Sequence, residues 1–208
     1  MSPVPAVIVL MIVYMASLIG FTTPHQQAWY LYYTPYFLLL NLVILLLYQR
    51  QWNRYAGFFG GIVLITTALV EGVAVYTNTL YGNYSFGASL GYPIAGVPII
   101  LPIYWLIIIG STAILTAKVV PKSSVGRILI GTGLTLTLTI TIQQVANRLN
   151  FWVLDPQQLW QYVLVQGVVA TLLHFLFVHW KVSSDNRIAG YVYGGLLIFF
   201  IGVISFLP

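Results

Sequence analysis

Apolar residues run in seven long windows along the chain, about 4–21, 29–48, 56–77, 94–117, 126–147, 159–180 and 187–207. Each approaches or exceeds the roughly 20 residues that a helix needs to cross a hydrocarbon core. The fifth window alternates Thr135, Thr137, Thr139 and Thr141, which is the spacing of a strand. A lone strand in lipid would leave its backbone polar groups unpaired, so a helix is expected there as well. Its threonine hydroxyls would then bond back to carbonyls of the same helix. The pattern predicts an all-α fold, one transmembrane domain over 1–208 built as a bundle of about seven helices. The first window, Val4 to Phe21, lacks a basic leader and a small-residue cleavage site, so it is expected to remain as the first helix.

Composition agrees with a multi-pass protein of the cell membrane. Sixty per cent of the 208 residues are hydrophobic, 5% are charged, and the mean hydropathy is +0.93, against about a quarter charged in a soluble domain. Membrane lipid is therefore the first expected partner. There is no cysteine, which excludes disulfides, thiolate metal sites and cysteine nucleophiles. The formal charge of +5 comes from residues scattered singly over short loops, so no nucleic-acid partner is expected. Arg50, Arg54, Lys118, Lys122, Arg127, Lys181 and Arg187 fall in alternate loops and make up seven of the eight basic residues. The positive-inside rule makes that side cytoplasmic, with the N-terminus inside and the C-terminus outside. The loops at 22–28, 78–93 and 148–158 then lie on the outer face.

Within these windows, Glu71 is an acid in an otherwise apolar span. Such groups are costly in hydrocarbon and normally face a protein interior or a wet cavity. Helix rise places it roughly 9 Å below the outer boundary, Gln143 and Gln144 about 5 Å down, and Gln166 about 10 Å down. This outer polar layer is expected to be roofed by Asn83, Tyr84, Asn147, Arg148 and Asp155. His174 falls roughly 13 Å deeper than Glu71, which argues against a direct pair. One reading of the layer is a pocket with one acid and several amides; the other leaves Glu71 protonated or paired with Arg148, joining helices and nothing more. No metal site is expected, because His174 and His179 stand five apart, not three or four. His25 reads as a surface residue, and most Tyr and Trp residues at span ends read as an interfacial belt.

Glu71-Gly72, Tyr81-Gly82-Asn83-Tyr84-Ser85-Phe86 and Gly91-Tyr92-Pro93-Ile94-Ala95-Gly96-Val97-Pro98, with Pro102, Tyr104 and Trp105 opening the next span, form an ordered series. It resembles the membrane family of carotenoid biosynthesis proteins that includes bisanhydrobacterioruberin hydratase and bacterial carotenoid 1,2-hydratases. In that family a helical glutamate is followed by an aromatic Gly-x-Tyr loop, a Gly-Val-Pro, then Pro and Trp in the next span. Leu154-Asp155-Pro156 with Trp160 is a second, shorter similarity. The chain departs from the family pattern at Ser85, Ala88 and Ser89, where an acid is usual, and over Val163 to Ala170, where a Tyr-Gly-Val-Pro signature is missing.

The resemblance implies a linear carotenoid or other polyisoprenoid partner, and hydration of a terminal C=C bond as the activity. That chemistry needs protonation to a tertiary carbocation and capture by water, a role that Glu71 suits as the acid. Tyr81, Tyr84, Tyr104 and Trp105 are candidates to stabilise the cation. Asn83, Gln143, Gln144, Gln166 and Arg148 are candidates to bind substrate or water, and Asp155 to accept the proton. Nothing in the reaction calls for a metal or redox cofactor. A second class of function stays open: a non-catalytic subunit of a larger membrane complex that contacts lipid, carotenoid or quinone. A proton-linked transporter using Glu71 is a third, opposed by the lack of a recognisable repeat.

Overall fold

The computed structural model describes residues 2–207. Among them, eight helices follow the apolar pattern: α1 (Val4–Thr22), α2 (Pro24–Tyr32), α3 (Thr34–Leu47), α4 (Arg54–Thr77), α5 (Ile100–Val119), α6 (Ser124–Ala146), α7 (Leu159–His179) and α8 (Ala189–Phe206). Six are long and apolar enough to span a membrane alone, and α2 with α3 makes a seventh only as a bent pair. The fold is the expected all-α polytopic bundle.

Two spans differ from the sequence expectation, and proline explains both. The window at 29–48 is not one helix: α2 and α3 meet at 56°. In one continuous helix Pro35 would have no N–H for the Leu31 carbonyl and its ring would clash with it, yet it is tolerated in the first turn of α3. The window expected to start at 94 becomes helical only at Ile100. Before it, β2 (Pro93–Ile94) pairs with β3 (Val97–Pro98) across Ala95 and Gly96, which have φ of 47° and 72°. Two successive positive-φ residues are what a tight hairpin turn requires.

Helix α5 is the axis of the bundle, packing on α3, α4, α6, α7 and α8. Its Ile107, Ile108 and Ile109 are all fully buried, as expected of a helix that is apolar all round. In α6 the threonines do bond back within the helix, for example Thr139 to the Thr135 carbonyl at 2.9 Å. Both α3 and α4 pack on α5. Between them lies an apolar groove of about 290 Å³, with Leu106 and Gly110 in its floor and Gly57, Gly60 and Gly61 along one edge.

The loops gather at two ends. At one, β1 (Tyr84–Phe86) pairs antiparallel with β4 (Trp152–Leu154) and ties the loop after α4 to the loop after α6. At the other, Asn186 donates to the Leu45 carbonyl at 2.7 Å and accepts from the Ile188 and Ala189 amides at 2.9 and 3.1 Å. The Arg50 amide there donates to the Asp185 carbonyl at 3.0 Å.

Candidate active site

The buried face of α4 reads Phe59, Val63, Thr67, Glu71 and Ala74, the three- and four-residue spacing of one helical stripe. Glu71 is therefore turned inward by the same register that buries its apolar neighbours, and it is 2% exposed. On α7 the buried face carries Tyr162, Gln166, Val169, Ala170, Leu173, His174 and Phe177, which brings Gln166 opposite the acid.

Gln166 Nε2 donates to Glu71 Oε1 at 3.0 Å and to Tyr81 Oη at 2.9 Å. Both amide hydrogens are thereby engaged, and the amide holds the acid and the phenol in one plane of contacts. Glu71 Oε2 is buried without a well-formed hydrogen bond, although the Tyr84 and Trp105 side chains also reach toward the carboxyl. Tyr104 and Tyr162 are close enough to feel its charge. The rings pack edge to face, with Tyr81 centred 5.0 Å from both Tyr84 and Tyr162, and Tyr104 6.2 Å from Trp105. One carboxyl thus stands within an enclosure of five aromatic side chains.

Local backbone choices bring the loop tyrosines back over the acid. Helix α4 ends on Asn78 in the left-handed conformation, a common way to stop a helix and turn the chain. Gly82 follows Tyr81 with φ of 67°, and Gln158 packs where a Cβ would lie, so glycine serves both the turn and the close approach. Along β1, Tyr84 points in and Ser85 out, the ordinary alternation of a strand. Burial, reinforced by the Glu71 charge, holds both the Tyr81 and Tyr84 phenols above the usual tyrosine range. They remain hydroxyl donors at any ordinary pH.

The structure gathers Glu71, Tyr81, Tyr84, Tyr104, Trp105 and Gln166, and it places the other expected site residues elsewhere. Gln143 accepts from the Trp152 indole at 2.6 Å. Gln144 and Asn83 are exposed. Asp155 is exposed and accepts from the Gln157 amide at 2.9 Å, capping the short turn before α7. Arg148 donates to the Leu207 carbonyl at 2.9 Å, so it is not the partner of Glu71. Tyr162 was not singled out by sequence. Its place one helical turn before Gln166 was the available signal, masked by the many tyrosines that simply line span ends.

His174 belongs to a separate buried network. Its Nε2 meets Thr112 Oγ1 at 3.0 Å and its Nδ1 meets the Ala170 carbonyl at 2.8 Å. Thr112 in turn meets Thr135 at 3.2 Å. Among the described residues no group of three or more His, Cys, Asp or Glu side chains is arranged to hold a metal.

A family model described as carotenoid biosynthesis protein matches residues 33–200, a stretch that includes every member of the Glu71 cluster. No curated protein and no solved structure matches the chain.

Proposed function

We propose that this chain, which belongs to the carotenoid biosynthesis protein family, adds water across a terminal C=C bond of a linear carotenoid. The carrying observation is the asymmetry of the Glu71 carboxyl. Oε1 accepts from the Gln166 amide N–H, while Oε2 has no well-formed hydrogen bond, only the reach of the Tyr84 and Trp105 side chains toward the carboxyl. An oxygen that accepts from N–H acts as the carbonyl oxygen, so the acid proton belongs on Oε2, where it is free to leave.

The steps balance without an oxidant or reductant. The π electrons of the alkene take the proton from Oε2, forming a C–H bond and leaving a tertiary cation. The faces of the surrounding tyrosines and Trp105 are suited to stabilise that charge. A water oxygen then bonds to the cationic carbon, and its surplus proton returns to the Glu71 carboxylate. The product is a tertiary alcohol and the acid is regenerated.

Access from the bilayer suits a substrate dissolved in lipid. Gly60 and Leu64, which border the groove between α3 and α4, lie on nearly the same face of α4 as Glu71, eleven and seven residues away at about 100° per residue. A long polyene lying along that face would bring one end to the acid.

Expression in a host that accumulates lycopene, with pigments analysed by liquid chromatography and mass spectrometry, tests the reading. The expected result is a new species heavier by one water. Glu71→Gln should lower its yield by on the order of a hundredfold or more, since positioned proton donors contribute that much. Full activity in Glu71→Gln would remove Glu71 as the acid. Unchanged pigments, with the protein verified in the membrane, would favour the non-catalytic subunit.

A further inference from the structure

Two cavities meet at the basic end of the bundle. The groove between α3 and α4 is bounded there by Trp52, Phe177, Val182 and Ser183. The same four residues wall a second space of about 480 Å³, lined also by Asn53, Arg127, Lys181 and Asp185. An apolar slot thus opens into a polar mouth.

The slot has the depth of one leaflet. It runs from Ala56 to Leu64 on α4 and from Leu106 to Ile114 on α5. Eight residues of helix rise about 12 Å, and half of a hydrocarbon core roughly 30 Å thick is about 15 Å. A Cβ at Gly57 or Gly61 would meet nothing within 4 Å, so no neighbouring side chain fills the space beside them. Trp52 is exposed where slot and mouth join, and tryptophan is enriched where hydrocarbon gives way to headgroups.

The mouth is positive. Arg127 Nε donates to the Val120 carbonyl at 3.3 Å, and its Nη2 donates to the Pro121 carbonyl. Both acceptors are neutral, so the guanidinium is held in place with its charge uncancelled. Lys181 has φ of 51°, an uncommon backbone for lysine. Its carbonyl is fixed by Asn53 Nδ2 at 2.9 Å. Asn53 also caps α4, so the positive end of that helix adds to the field. Of the three acidic residues only Asp185 lies at this end, and Lys118 is close enough to offset it.

We propose that groove and mouth together bind one anionic phospholipid, with an acyl chain in the groove and the headgroup phosphate at Arg127 and Lys181. The apolar slot selects a tail, and the positive mouth selects a head that carries no compensating ammonium. The depth fits a chain of the leaflet on the basic side. This site stands whether or not the protein hydrates an alkene. It also bears on access, because a polyene passing Gly60 and Leu64 on its way to Glu71 would have to displace that chain.

Native mass spectrometry of the full chain in neutral detergent tests the site, by titration with dioleoyl phosphatidylglycerol or dioleoyl phosphatidylcholine. One phosphatidylglycerol should bind at least about tenfold more tightly than phosphatidylcholine, since each basic side chain near an anionic lipid contributes about fivefold. Lys181→Asn should weaken phosphatidylglycerol about fivefold, and asparagine tolerates positive φ, so the loop keeps its shape. Lys122→Asn, at the same end but outside the mouth, should change nothing. Gly61→Leu places a side chain in the open groove and should remove the adduct of either lipid while the thermal midpoint is kept. Equal affinity for the two lipids would overturn the proposal, as would equal effects of Lys181→Asn and Lys122→Asn. Undiminished phosphatidylglycerol binding in Gly61→Leu would do the same, by showing that no chain occupies the groove.

Discussion

Gln166 governs the acid through two hydrogens on one nitrogen. Replacing it with leucine keeps similar bulk but strips the partner from Glu71 Oε1 and breaks the link to Tyr81. The carboxyl would then be buried without its one well-formed hydrogen bond, a loss worth about 1–3 kcal/mol in folded proteins generally and nearer 1 kcal/mol between membrane helices. Gln166→Leu should therefore lower the thermal midpoint of the detergent-purified protein, and product yield should fall further than the unfolded fraction explains. Yield that merely tracks folding would make Gln166 a helix-joining residue only. At this scale the sequence was readable where chemistry is rare. An acid within an apolar span stands out, and so does a glutamine one turn into the next polar layer. Tyr162 did not stand out, because tyrosines are common at span ends. What distinguishes it is Glu71, brought near from another helix.

At the scale of elements, glycines on α6 decide how closely α7 approaches. A Cβ at Gly131 would overlap the His174 ring, whereas one at Gly133 meets nothing within 4 Å. Glycine to alanine within a helix normally stabilises by about 0.5–1 kcal/mol. The two positions should thus respond with opposite signs. Gly133→Ala should hold or raise the thermal midpoint, and Gly131→Ala should lower it through a loss of stability on the order of 1–3 kcal/mol, the usual range for overpacking. The imidazole cannot step aside cheaply, because both its nitrogens are bound. Equal midpoints for the pair would show that α6 and α7 part easily. Helices themselves were legible from apolar runs alone, and five of the seven windows contain a helix close to the expected bounds. The break at Tyr33 and the clasp of β1 with β4 were not. The first depends on how Pro35 is accommodated, and the second joins three-residue strands nearly seventy positions apart. No local pattern announces such a pairing.

The whole molecule sorts its polar loops to opposite ends, and the acid lies nearer the end clasped by β1 and β4. Tyr81 and Tyr84 descend on Glu71 from the clasped end, while Arg50, Lys118, Lys181, Asp185 and Arg187 belong to the other. If the basic end is cytoplasmic, as the charge bias implies, water and any released proton reach the site from outside, beneath the clasp. The absence of native cysteine makes the test direct, since a single introduced thiol has no background. Asn83 and Lys122 are both exposed, at the clasped and basic ends respectively. In intact cells, a membrane-impermeant maleimide should label Asn83→Cys and spare Lys122→Cys until the membrane is opened. The reverse pattern would turn the bundle over and place Glu71 within reach of the cytoplasm. It would leave the geometry of the acid untouched, because Gln166 and the tyrosines are carried by the same packed helices and loops whichever way the bundle faces.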